Sequence, residues 1–318
     1  MMAIVIAIRT FDPYSLHLRS GKPHEPDCLD HFDPLDMLSY RHGFHAGNFA
    51  DVLKHSVLTL LGESLLGKEK GFFYLDTHAG AGLYDLASPF ARRNREYQSG
   101  IARIWAAGDV PEELRTYRDI VRALNPDGLL RYSPGSPWII HCLLRPQDRM
   151  ALCELHPTEV EALRARFVGQ RRVTVRHDDG YQAMKALLPP AERRGLVLCD
   201  PAFELRDDRE RLLEAAQRAY RRWPTGIFAY WHPIQERPAT DWLYRKFRQS
   251  GIDRLLTIEL TMFPETAERR MIGTGLVLVN PPWRLADRLA RLLPWLCDTL
   301  RQGPEATWRL EWLAGADD

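Results

Sequence analysis

Short apolar runs alternate with segments of helical period along most of this chain. The runs Phe72–Leu75, Ala151–Glu154, Val173–His177, Leu196–Cys199, Gly226–Tyr230, Leu255–Leu260 and Gly275–Val279 have strand length and composition. Helical segments separate most of them. Over Ala50–Leu65 apolar residues recur at Leu53, Val57, Leu61 and Leu65, and Arg209–Arg222 is a second such helix. Strand–helix alternation predicts an α/β fold: a mostly parallel, seven-stranded Rossmann-like sheet with helices on both faces. Thr261–Thr274, between the last two runs, has no strong helical period. That predicts an antiparallel last strand, in a hairpin at the sheet edge, because a parallel crossover needs a helix.

Two stretches break the pattern. Asp76 and Glu154, at the ends of the first and second runs, are 78 residues apart. A doubly wound sheet needs only about 20–30 there. The excess has its own helix signals at Ile101–Ala107 and Pro111–Leu124, so a small helical insertion is expected over about residues 86–132. Residues 1–36 mix Pro, His, Asp and Gly without sustained period after Ile8, and are expected to form an N-terminal extension outside a folded core of 37–318.

Composition excludes several classes. With 45% apolar and 27% charged residues the chain is neither low-complexity nor disordered, and no apolar run reaches the roughly 20 residues of a membrane span. Five scattered cysteines without a CxxC pair argue against disulfides and zinc knuckles, so a cytoplasmic protein without metal, and a monomer, is expected. The net charge of +1 conceals an arginine bias: only six of the 43 basic residues are Lys. Codon usage explains this more readily than phosphate binding does, although Arg forks suit phosphate oxygens.

Four sites carry candidate chemistry. After the first strand, Asp76-Thr-His78-Ala-Gly80-Ala-Gly82 is a glycine turn where backbone can approach a ligand; alone it fits a dinucleotide, an adenosylmethionine or merely a tight turn. Glu154 ends the second strand, where an acid can accept hydrogen bonds from two ribose hydroxyls, or simply face solvent. His177-Asp178-Asp179-Gly180 follows the third, where a carboxylate can accept from an adenine amine, or close an ordinary turn. Asp200-Pro201-Ala202-Phe203 after the fourth is similar to the Asp/Asn-Pro-Pro-aromatic signature of amino-group methyltransferases. There a carboxylate and a proline carbonyl accept the two N–H bonds of an exocyclic amine, exposing its lone pair, while the aromatic stacks on a flipped base. Asn280-Pro-Pro-Trp283 repeats the signature, but at the end of the antiparallel strand, so it is expected to be structural with Trp283 as a packing residue. Ser136-Pro137 is expected to cap a helix over Pro137–Leu144 whose start could seat a carboxylate. His42, His45, His55 and His78 lack a carboxylate or thiolate spaced to complete a metal site.

From Met37 onward the chain resembles the bacterial 23S rRNA adenine-N6 methyltransferase family called RlmJ. The resemblance rests on SYRHGFHAGNFADVLKH, YLDTHAGAG, YSPGSP, the run from Glu154, DDG, DPAFE and NPPW, in one register over almost 90% of the chain. It implies a class I methyltransferase using S-adenosyl-L-methionine, with 23S ribosomal RNA as partner and N6-methyladenine at A2030 as product. By the same resemblance the cofactor contacts are His55, His78, Ser136, Glu154, Asp179, Gly180 and Asp200, and Asp200 is catalytic. Tyr40, Lys54, Pro201 and Phe203 face the substrate. The family pattern at the catalytic turn is DPPY, so Ala202 and Phe203 are departures. The alternatives are a DNA adenine-N6 methyltransferase, which shares every motif, and a catalytically weakened RNA-binding descendant; a dehydrogenase is more distant.

Overall fold

The structure, a computed structural model, describes residues 42–266 and 271–315. The extension 1–36 and Tyr40 lie outside the described residues. In chain order the elements are α1 (Phe49–Leu66), β1 (Phe73–Asp76), β2 (Leu83–Asp85), α2 (Pro89–Asn94), α3 (Ile101–Ala106), α4 (Glu112–Leu124), β3 (Tyr132–Pro134) and α5 (Ser136–Leu143). Then follow β4 (Arg149–Glu154), α6 (Pro157–Arg166), β5 (Val173–His177), α7 (Gly180–Leu187), β6 (Gly195–Cys199) and α8 (Asp208–Arg222). The last are β7 (Ile227–Ile234), α9 (Arg237–Arg248), β8 (Leu255–Thr261), β9 (Gly273–Val279), α10 (Leu285–Leu300) and β10 (Thr307–Ala314).

Each of the seven expected strands forms. The main sheet has eight, in the order β10-β8-β9-β7-β6-β1-β4-β5. From β7 to β5 all neighbours are parallel, whereas β9 runs antiparallel to both β7 and β8. Two expectations are thus corrected. The β8–β9 hairpin is not the sheet edge: β9, buried at every position, is inserted between β7 and β8 and paired on both sides. The edge is instead β10, an eighth strand whose Trp308, Leu310 and Trp312 alternate with Arg309 and Glu311.

Helix α1 is enclosed. It touches β6 and β9 on one side and α4, α5 and α10 on the other. Leu53, Val57 and Leu61, on the expected apolar face, are fully buried. So are Asp51, Lys54 and His55 between them, and buried polar groups must find partners. The antiparallel pair β2–β3 brackets the segment carrying α2, α3 and α4. Leu114, Tyr117, Ile120 and Val121 of α4 join the same core as α1 and α10.

The end of β9 lies opposite the carboxyl ends of the parallel strands. Asn280, at φ 51°, donates from Nδ2 to the carbonyls of Pro224 (2.7 Å) and Gly226 (2.8 Å), just before β7 begins. Trp283, in contrast, is 80% exposed, with the Arg284 guanidinium over its ring. The turn is held by Asn280, and the expected packing role of Trp283 is corrected.

Candidate active site

The carboxyl ends of β1, β4, β5 and β6 open onto one cleft of about 210 Å³. His55, His78, Ser136, Glu154, Asp179, Gly180 and Asp200 all line it, from six separate stretches of chain, together with Lys54 and Pro201. Phe203 does not. Its ring packs edge-on against Trp231 at 5.8 Å, with the Arg209 guanidinium carbon also 5.8 Å from its centre. Ala202, where the family turn has proline, is exposed.

Backbone donors fix the two acidic strand ends. Glu154 accepts at Oε2 from the Gly80 N–H and at Oε1 from the His156 N–H, both at 2.7 Å, tying the glycine turn after β1 to the loop after β4. Burial raises its pKa against the pull of these donors. A side chain at Gly80, where φ is +57°, would meet the Tyr84 hydroxyl. Asp179 caps α7, its Oδ1 accepting from Tyr181 and Gln182 N–H at 2.8 and 3.0 Å, which leaves Oδ2 outside the cap. A Cβ on Gly180 would lie 2.1 Å from the Thr77 carbonyl oxygen, so only glycine lets these two loops close on each other. Ser136 differs from expectation: Gly135 is the N-cap of α5, and Ser136 is the first helical residue. Its hydroxyl donates to the buried Asp76 carboxyl instead, as does Tyr74 at 2.7 Å. Desolvation nevertheless pushes Asp76 up to about 6.

The least anticipated contact is between α1 and the turn after β6. Lys54 Nζ donates to Asp200 Oδ2 at 2.6 Å and to Asp51 Oδ1 at 2.8 Å. Asp51 Oδ2 also accepts from His42 Nε2 and the Gly47 N–H, both at 2.8 Å. Burial disfavours the Lys54 ammonium, yet the two carboxylates hold its pKa above the ordinary value; His42 and Lys54 keep Asp51 well below its own. Both groups are therefore ionised at neutral pH. His55 and His78 are pushed down by burial, to about 3 and about 4, and are neutral there.

The family resemblance implies a substrate-facing Lys54, whereas Asp51 has no role there and His42 is weighed only as a metal ligand. The i, i+3 spacing of Asp51 and Lys54 signalled a pair, but only the enclosure of α1 makes it a buried one. Among the described residues no group of three or more His, Cys, Asp or Glu is placed to hold a metal ion, and no helix is long and apolar enough to cross a membrane.

A parallel sheet extended by an inserted antiparallel strand, with a glycine turn after β1 and acids at the next strand ends, defines a class I, Rossmann-like methyltransferase. The profile described as "Ribosomal RNA large subunit methyltransferase D, RlmJ" matches residues 69–314. The chain belongs to the RlmJ family. It is 46% identical over 278 residues to "Ribosomal RNA large subunit methyltransferase J" of Haemophilus influenzae, covering 87% of this chain and 99% of that one. Its Escherichia coli K12 counterpart of the same description is 47% identical over 260 residues, 82% of this chain and 93% of that one. The crystal structure of protein LPL1258 from Legionella pneumophila superposes with a TM-score of 0.78 at 36% identity, over 84% of this chain and 98% of that one.

Proposed function

We propose that this chain transfers the methyl group of S-adenosyl-L-methionine to N6 of an adenine in 23S ribosomal RNA, at the position the family calls A2030. The observation that carries the reading is Asp200, held by Lys54 at one oxygen, in the same cleft as Glu154, Asp179 and Gly180. The descriptions of the two curated relatives favour RNA over DNA as the acceptor. The cofactor fits the residues present. Each carboxylate oxygen of Glu154 has a second lone pair beyond its backbone donor, enough for two ribose hydroxyls. Asp179 Oδ2 and the bare Gly180 backbone suit an adenine edge and face. His55 Nδ1, buried in the cleft wall, has no partner among the described residues and suits a polar group of the ligand.

When bound, the cofactor supplies an electrophilic methyl group. The protein's own residues prepare the amine that receives it. Asp200 Oδ1 accepts one N–H of the adenine amine and takes the proton that nitrogen later sheds; the Pro201 carbonyl accepts the other. Both contacts strengthen as nitrogen becomes tetrahedral, which is where transition-state stabilisation is gained. The test is incubation with methyl-labelled cofactor and, separately, DNA, protein-free rRNA and ribosomes. Label in rRNA adenine alone supports the reading. Label in DNA makes the chain a DNA adenine-N6 methyltransferase, and no label anywhere favours the weakened RNA-binding descendant that Ala202 suggests.

A further inference from the structure

Asp51 is a buried carboxylate with a full set of partners, 2% exposed, whose role the proposed chemistry does not require. An ordinary structural account covers part of it. With Asn48 it forms a helix-start exchange: Asn48 caps α1 by accepting from the Asp51 N–H at 2.9 Å, and Asp51 reaches back to the Gly47 N–H. Either an Asp or an Asn satisfies that exchange, since it uses one oxygen. The other oxygen is spent on the Lys54 ammonium.

The charges make that second contact consequential. One ammonium lies between two carboxylates, all in the interior, with side-chain exposures of 3% for Asp51, 5% for Lys54 and 13% for Asp200. The trio thus has one carboxylate more than it has ammonium groups, and Asp200, its most exposed member, lines the cleft. Without the charge on Asp51, Lys54 would belong to Asp200 alone. A one-to-one ion pair is a poorer acceptor for an amine N–H and a poorer home for its proton, because the ammonium already stabilises the negative charge.

We propose that Asp51 is a positioning residue for methyl transfer: it anchors Lys54 and takes up part of its charge, so that Asp200 stays an open acceptor for the substrate amine. The inference rests on the proposed function, and unmutated protein is the control for that reading. The experiment is a double-mutant cycle in single-turnover methylation of 23S rRNA at saturating cofactor, with Asp51→Asn, Lys54→Met and the two combined. Asparagine keeps the oxygen that accepts from Gly47 and removes the charge. Asp51→Asn should slow transfer roughly tenfold to a hundredfold, the range of a close pairwise coupling, with cofactor affinity unchanged. In the Lys54→Met background the same change should alter the rate by less than about twofold, because no ammonium remains to balance. Asp51→Glu, which restores the charge, should recover part of the rate. Equal losses in both backgrounds, or Asp51→Glu no faster than Asp51→Asn, would show Asp51 to be a helix cap only. Unmutated protein that leaves rRNA unlabelled overturns this inference and the proposed function together, whereas an active protein with an additive cycle overturns this inference alone.

Discussion

Two turns of this chain resemble one catalytic signature, and substitution at Asn280 separates them. Its side chain donates two hydrogen bonds to carbonyls ahead of β7, each worth a net ~0.5–1.5 kcal/mol. Asn280 also sits in the left-handed region at φ 51°, which alanine tolerates less well, at about 1 kcal/mol or more. Asn280→Ala should therefore cost about 2–4 kcal/mol, and Asn280→Gly less, because glycine loses the bonds but not the conformation. For a chain of this size each kcal/mol lowers Tm by ~2–4 °C, so the alanine variant should melt roughly 5–15 °C early. Trp283→Ala, at an exposed site, should stay within about 0.5 kcal/mol of the parent. Differential scanning calorimetry measures the series, and single-turnover methylation below the lowered Tm should match the parent rate for all three. A variant that keeps its Tm but loses methyl transfer would put chemistry at the Asn280 turn and refute the assignment to Asp200.

Four further outcomes are expected. Glu154→Gln presents an amide N–H to one of two backbone donors and weakens the ribose contacts, so affinity for S-adenosylhomocysteine by calorimetry should fall by on the order of 1–3 kcal/mol; unchanged affinity would move the ribose elsewhere. Asp200→Ala should reduce turnover by roughly 10²–10³ while cofactor affinity falls less, and a variant turning over at the parent rate would remove Asp200 from the chemistry. Ala202→Pro should favour the ordered turn by about 0.4–1 kcal/mol and speed transfer, and a slower rate would show the loop adapted to alanine. His232, buried and pushed down to about 4, stays neutral in the fold while the unfolded chain protonates below about 6.5. The unfolded state then binds more protons, so stability falls as pH drops through that window, by up to about 1.4 kcal/mol per unit for each such histidine. His232→Gln should flatten the decline in Tm between pH 7 and 5; an unaltered slope would exclude His232 as its source.

Periodicity and motif spacing located seven strands, helices α1 and α8 and the antiparallel β9, while the family resemblance pointed to Lys54, His55, His78, Ser136, Glu154, Asp179, Gly180, Asp200 and Pro201, all of which line the cleft. Those features follow from local pattern. What escaped them depends on partners distant in sequence. The insertion of β9 between β7 and β8 is a choice of neighbours, which period-two alternation does not encode. The alternation of Trp308, Leu310 and Trp312 was present for β10, but it fell after the sheet seemed complete. The link from Lys54 to Asp200 spans 146 positions, and nothing short of the folded core brings them together. Phe203 was legible as an aromatic at the right place, not as one whose ring lies on Trp231.

The enclosure of α1 has a consequence for how the enzyme comes into being. The helix bearing Asp51, Lys54 and His55 ends at Leu66, yet β9 and α10, which close over it, begin only at Gly273 and Leu285. Until they arrive, α1 has an apolar surface without its cover and an ammonium whose partner turn is not yet fixed in a finished sheet. Such long-range pairing is slow to nucleate. The candidate site is therefore completed late in folding: the cluster on α1 takes its final shape only when β9 and α10, far downstream of it, have packed over the helix.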